Sequence, residues 1–405
     1  MPTCGTGERR KSVDYCMKLI YIANIRFPTE KAHGVHIVKM CEALARNGVE
    51  VKLVVPERKN QIENDLFEYY GVKKNFEIKY LPVIDFVGSG FLGYWVTQIS
   101  FIIALLRQKF DKSESIILTR DEWSGWVLAS KKYRVFYDMH GFPVKWKFLW
   151  KKSMKIMRGI ICTNEWKIER CQRIFDIGRN KMVLARNGFD PELFSVSVSK
   201  NEARKKLNLP ENKKIILYSG HLYDWKGVDT LAAAAVIRRQ DLFVFVGGSD
   251  LEVTEFVKRI DLCDNILVLG QKPHPDIPWY LKAADVLVLP NSCQSSNSRF
   301  ADYSLFDTSP IKMFEYMAAE RPIVASDLPS LREVLNEKNA ILVKSGSSES
   351  LVKAVDLILT DERLGAELAE QARHDVQQYT WENRGKIVLN FIKRIFSEEQ
   401  INIRR

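Results

Sequence analysis

Residues 213–231 read KKIILYSGHLYDWKGVDTL. A β-branched, almost continuous apolar run (213–219) stops at Gly220, a short loop follows, and Lys226-Gly227 opens a helical pattern. A run without polar alternation belongs to a strand buried on both faces, hence to a parallel sheet covered by helices. Gly220 permits close approach of backbone to a ligand at the strand end. Lys226 adds a point charge suited to a diphosphate, and His221 in the same loop offers those phosphates a hydrogen bond.

The pattern repeats in both directions from this unit. Comparable runs lie at 18–24, 49–56, 115–119, 134–138 and 159–163 before it, and at 242–247, 265–270, 285–290 and 322–326 after it. Strand–helix alternation occurring twice predicts an α/β chain of two doubly wound domains. Their ligands bind beyond the carboxyl ends of the strands, which places the site in a cleft between the two sheets. A length of 405 residues agrees with two cores. The expected division is a polar leader at 1–17, a first domain at 18–192, a second at 193–380 and an amphipathic terminal helix at 381–405. The polar stretch 194–209 reads as the join.

Composition narrows the class. Hydrophobic residues make up 46% and charged residues 27%, which excludes collagen-like and low-complexity chains. The seven cysteines are scattered without a CxxC, so a reducing compartment is expected, with neither disulfides nor zinc. His33 and His36 are three apart with no third ligand in view, and no metal or other cofactor is expected. The leader lacks an apolar core, so the protein is expected in the cytoplasm, peripheral to the membrane's inner face if it touches one. The most apolar stretch, FLGYWVTQISFIIALL (91–106), is short for a span and carries Thr97, Gln98 and Ser100; it reads as a buried helix.

The charge is lopsided. Through Glu192 there are 33 Lys and Arg against 21 Asp and Glu, and beyond it 28 against 29. A basic first half suits an anionic partner: phosphorylated substrates, a phospholipid surface or nucleic acid. No RRM-like aromatic pattern or zinc-finger spacing supports nucleic acid. Residues 143–158, PVKWKFLWKKSMKIMR, hold Lys145, Lys147, Lys151, Lys152, Lys155 and Arg158 with no acid. On a helical wheel Trp146, Leu149, Trp150, Met154 and Met157 share the opposite face. That pattern fits a helix lying on an anionic bilayer, and equally an amphipathic helix packed on the sheet.

Three further constellations lie at predicted strand ends. In DTSPIKMFEYMAAERPIVASDLPSLRE (307–333), Thr308 or Ser309 can cap a helix with Pro310 in its first turn. The backbone from Ser309 through Pro310 to Ile311 then presents a helix amino terminus, a favourable seat for phosphate. Glu315, a turn and a half further on, can reach ribose hydroxyls, and Asp307 precedes it by eight positions. Gly34 sits where the loop after the first strand enters a helix, facing the expected cleft. His140 follows the strand VFYD directly, either as a core histidine or as a functional one.

Together these segments resemble the GT-B glycosyltransferases of family 4. SPIKMFEYMAAERPIVASDLPSLREV is similar to the family's C-terminal signature, and EKAHGVHIVKMCEALARNGVEVKLVVP to its N-terminal loop and first helix. ILYSGHLYDWKGVDTL, LARNGFDPELF and DVLVLP follow in the family's order. The resemblance implies two Rossmann-like domains facing across a cleft, with the acceptor, a glycan or lipid-linked one, held by the first and a nucleotide-sugar donor by the second. It implies retention of configuration without a metal. By position, Lys226 would neutralise the leaving diphosphate, Glu315 would bind ribose, and Ser309 to Ile311 would meet the phosphates. Asp307 takes the first acidic place of the family's E-x7-E motif, near the transferred sugar. His140 matches the histidine at the cleft edge and Gly34 the glycine loop beneath the donor. The terminal helix would cross back onto the first domain. Two departures stand out: His221 occupies the place of an arginine common in the family, and Asp307 is shorter than glutamate. A GT-B epimerase acting on the donor alone is the alternative. Specificity is expected to lie in loops such as 291–304.

Overall fold

A computed structural model describes residues 17–143, 145–195, 197–261, 263–293 and 302–404. Most of the leader, and positions 294–301 of the 291–304 loop, lie outside these residues.

Two all-parallel sheets organise the chain. The first has seven strands in the order β3-β2-β1-β4-β5-β6-β7: β1 Lys18–Ile22, β2 Glu50–Glu57, β3 Glu77–Pro82, β4 Ser115–Thr119, β5 Arg134–Met139, β6 Gly159–Cys162 and β7 Met182–Leu184. The second has six in the order β10-β9-β8-β11-β12-β13: β8 Ile215–Ser219, β9 Leu242–Val246, β10 Ile266–Val268, β11 Val286–Leu289, β12 Ile323–Ser326 and β13 Ile341–Val343. Strands β4, β8 and β9 are buried along their whole length, which is why they read as unbroken apolar runs. Each sheet carries a separate apolar core on either face. The strand order reverses beside β1 and β8, and at these switch points a crevice opens past the carboxyl ends.

In the first domain the helices are α1 Ala32–Arg46, α2 Leu66–Tyr70, α3 Gly90–Arg107, α4 Glu122–Ser130, α5 Lys147–Ile156 and α6 Glu165–Arg170. The stretch expected to be a plain join instead forms the helix Lys200–Lys206, with a capping box between Ser199 and Glu202. Arg204 of that helix is buried and reaches Asp285 at 2.6 Å. The last helix, Trp381–Arg404, returns to pack on α1 and to set Phe391 against Phe136. Its Arg384 donates to the buried Asp138 at 2.7 Å.

Two expectations about helices change. The apolar face of α5 points inward: Trp150, Met154 and Met157 are buried in the sheet's core, so they offer nothing to a membrane. Only Trp146 and the unremarked Phe148 stay exposed among its large apolar residues near the amino end. Helix α3 is the converse. It is long and apolar enough to cross a membrane, yet it lies against α4 and β3 with most of its large side chains outward, so it is not a buried helix.

Candidate active site

A cavity of about 220 Å³ opens between the two domains, past the ends of β8 and β9. Its wall on the second domain is built from β8 outward. Ser219 is fixed by its N–H donating to the Tyr316 hydroxyl at 2.6 Å. Gly220 follows with φ +134°, a region that disfavours side chains. A short 3-10 turn, Asp224–Lys226, then delivers Lys226 to the cavity before Gly227 (φ +73°) turns into the helix Val228–Ile237. A β-carbon on Gly227 would collide with the carbonyl of Pro290, so only glycine allows that turn to seat.

Lys226 lies over the Trp225 ring at 3.9 Å. Burial pushes its ammonium down to about 8. Opposite it stands Lys312, whose nitrogen lies 3.6 Å above the centre of the Tyr218 ring. That nitrogen is shut off from water and has no hydrogen-bond partner among the described residues. Burial above all, then the nearby Lys226, holds it well below the usual lysine range, against the pull of Glu315. Two lysines facing one cavity, one of them buried without a hydrogen-bond partner, suit a multivalent anion, which favours their ammonium forms.

The helix Ile311–Ala318 begins at the same cavity. Its N-cap is Pro310 rather than the expected Thr308 or Ser309, and no side chain caps it. Pro310 and Ile311 line the cavity; Ser309 does not, and its carbonyl accepts from Asn187 at 2.6 Å. Glu315, buried one turn on, lines the cavity and meets His274 at 2.7 Å (Nε2 to Oε1). The first domain closes the other side with Tyr69, Tyr70, Ala32 and Val35.

The remaining expected residues are placed differently. His221 lines the cavity, but its Nδ1 faces Glu252 at 3.0 Å and its ring stacks on Tyr223. Gly34 belongs to the first turn of α1, and a β-carbon there would come within 2.2 Å of the Tyr70 hydroxyl. Its smallness lets Tyr70 bond to the backbone of Thr29, so it shapes the wall without lining it. Asp307 does not line this cavity. It is gripped by the first domain: Lys167 pairs with it at 2.7 Å, and the Phe142 N–H donates to it at 2.8 Å. It lines a neighbouring cavity of about 400 Å³, with Glu122, Trp166, Trp225 and Tyr303.

His140 lines neither cavity. With His36 and Asp138 it forms a group whose ligand atoms lie within 4.8 Å of one another, the arrangement a metal ion uses. Arg384 already neutralises that carboxylate. Burial first, then Arg120, pushes His140 down to about 3, and His36 Nδ1 and Nε2, Asp138 Oδ2 and His140 Nε2 are buried without a hydrogen-bond partner among the described residues.

Lys312 and His274 escaped the sequence reading. Lys312 sits among apolar residues in IKMFEYMA, where a lysine ordinarily marks a solvated face. His274 follows the end of the 265–270 run, and its position beyond a strand's carboxyl end was the available signal.

Comparison with known proteins finds relatives of this chain. Residues 199–375 match the model of glycosyl transferases group 1, and residues 33–193 that of glycosyltransferase family 4. An uncharacterized glycosyltransferase of Methanocaldococcus jannaschii is 27% identical over 247 residues, covering 58% of this chain and 59% of its own. A UDP-Gal:alpha-D-GlcNAc-diphosphoundecaprenol alpha-1,3-galactosyltransferase of Escherichia coli is 25% identical, covering 60% and 64%. The matched segment thus spans less than two thirds of either relative. Among solved structures, sucrose-phosphate synthase of Thermosynechococcus elongatus superposes with a TM-score of 0.75 at 20% identity, over 94% of this chain and 100% of that one.

Proposed function

Because the chain belongs to the family 4 glycosyltransferases and has the GT-B fold, we propose that it moves a sugar from a UDP- or GDP-linked donor to a hydroxyl of a lipid-linked or cell-envelope glycan. Transfer retains the anomeric configuration and needs no metal. One observation carries this: Lys226, Lys312, the uncapped start of the helix Ile311–Ala318 and the Glu315–His274 pair converge on one interdomain cavity. The name of the Escherichia coli relative supports a UDP-sugar donor and a lipid-linked acceptor.

The chemistry follows from where charge appears. Breaking the bond between sugar and diphosphate leaves negative charge on the phosphate and positive character on the ring. The two lysines and the helix amino terminus receive the first of these in a water-poor site, where fixed charges act most strongly. They supply the neutralisation that a divalent ion provides in other phosphate sites. Glu315, oriented by His274, is placed to accept from ribose hydroxyls. The acceptor hydroxyl attacks from the face the phosphate leaves and passes its proton to the departing phosphate oxygen, so no pair of glycosidase-type carboxylates is required.

Incubation with UDP- and GDP-sugars and an undecaprenyl-diphosphate glycan in the presence of a chelator tests the proposal. An α-linked product from an α-linked donor, formed at the same rate without divalent ions, is expected. Inversion, or release of free sugar alone at enzymatic rates, contradicts it, and the latter favours the epimerase-type alternative.

A further inference from the structure

The surface of the first domain carries an apolar face that the catalytic reading does not use. Helix α3 buries Phe101, Ala104 and Leu105 in the domain core and leaves a second apolar face uncovered. Thr97 and Gln98 are buried: Thr97 bonds the carbonyl of Gly93, and Gln98 joins Asn24 and Asp121. Phe91 (72% exposed), Leu92 (76%), Ile99 and Ile103 point to solvent instead. A helix on an aqueous surface carries polar residues on its outer face.

This face continues onto α5. Phe91 touches Trp95, and Trp95 lies 6.3 Å from Trp146. Next to the exposed Trp146 stands Phe148, 78% exposed. Trp123 of α4 joins the same aromatic group, 5.1 Å from Trp95. So large an exposed apolar area marks an interaction surface.

The cations decide the partner. Lys145, Lys147 and Lys152 are exposed and form no ion pair among the described residues, whereas Lys151 and Lys155 share Asp176. Between Gly90 and Leu106 there is no charged residue at all. An apolar face with Trp at its edge and lysines beside it matches the layering of an anionic bilayer: acyl chains, interface, then phosphate. A second copy meeting the same face would set lysines against lysines. We propose that α3, Trp146 and Phe148 sink together into the surface of an anionic bilayer, with Lys145, Lys147 and Lys152 at the headgroups. Helix α3 lies in the interface without crossing it, since its other side, with Thr97, Gln98, Phe101 and Leu105, is buried in the domain. Docking rests on the transferase reading only for its purpose, the delivery of a lipid-linked acceptor. Glu122, which lines the second cavity, precedes Trp123 of the apolar face.

Vesicle flotation tests this with the full chain and no turnover. Vesicles of phosphatidylcholine alone are compared with phosphatidylcholine mixed with phosphatidylglycerol. The wild type is expected to float with the mixed vesicles. The Phe91→Ser/Leu92→Ser variant loses about tenfold or more in vesicle affinity, the scale of two exposed apolar side chains. The Lys145→Gln/Lys147→Gln/Lys152→Gln variant loses the preference for phosphatidylglycerol and its salt dependence. A thermal shift with UDP and GDP, equal in wild type and variants, shows that the fold and donor site persist. Wild-type-like flotation of the Phe91→Ser/Leu92→Ser variant overturns the proposal. So does a wild-type dimer that this variant dissolves while neither protein floats. Absence of any nucleotide effect with flotation as expected would count against the donor site alone.

Discussion

The ammonium nitrogen of Lys312 lies 3.2 Å from the point where a β-carbon on Gly220 would stand. A side chain at position 220 would crowd that nitrogen, so the glycine leaves Lys312 room at the cavity wall. His221 in the same loop is turned to Glu252, and under the proposed function Lys312, once protonated against a bound diphosphate, joins Lys226 as the second charge.

Lys312→Met is expected to weaken binding of a nucleotide diphosphate sugar by about tenfold or more, the loss of one charge-assisted contact in a dry site. Because the lysine is unpaired without ligand, the same change leaves the melting temperature unchanged or raises it. Introducing His221→Arg into that variant restores part of the affinity. Calorimetric scanning with and without UDP measures both effects.

The pH dependence has a definite sign. Lys226 is pushed down to about 8 from an ordinary value of 10.5. Between those values the unfolded chain binds more protons than the folded one, so this group makes stability rise with pH across that window. A bound diphosphate favours the ammonium form, so binding near the upper half of the window takes up a proton. Titrations in buffers of different ionisation heats detect that uptake, and Lys226→Met removes Lys226's share of it.

Asp307 and Lys167 bind the domains to each other. Lys167 is fully buried, and its removal strands a carboxylate. Lys167→Met is expected to cost about 3 kcal/mol in urea unfolding, the scale for breaking a buried pair. Asp307→Asn destabilises as well, without a matching change in donor affinity, since Asp307 lies outside the donor cavity.

His274→Ala frees Glu315 from its 2.7 Å partner. A few-fold to tenfold rise in the donor KM is expected, with kcat much less affected, because the residue acts by orienting the carboxylate. Glu315→Ala costs at least about tenfold in transfer rate.

Much of the fold was legible because buried parallel strands write themselves as apolar runs. Three strands lie outside the ten runs: the edge strand β3, with only Leu81 buried, and the short β7 and β13, each at one end of its sheet with only one fully buried residue. Lys226, Gly220 and Glu315 were legible from their places after strands and at a helix start. Lys312 was not, since a lysine in a helix does not announce that its nitrogen is buried. For α3, nearly uniform hydrophobicity hid which side faces the core. Partners distant in sequence, Asn24 and Asp121, drew Gln98 inward. In α5 the wheel found the apolar face correctly, but only the packing of Trp150 and Met154 shows that the domain itself covers it.

The most direct test of the donor site is a calorimetric titration of UDP and GDP, with a chelator present, into the wild type, Lys226→Met and Lys312→Met. One nucleotide is expected to bind the wild type, with each variant losing about tenfold or more while melting no lower than the wild type. Equal affinity in all three proteins would contradict a diphosphate held between the two lysines.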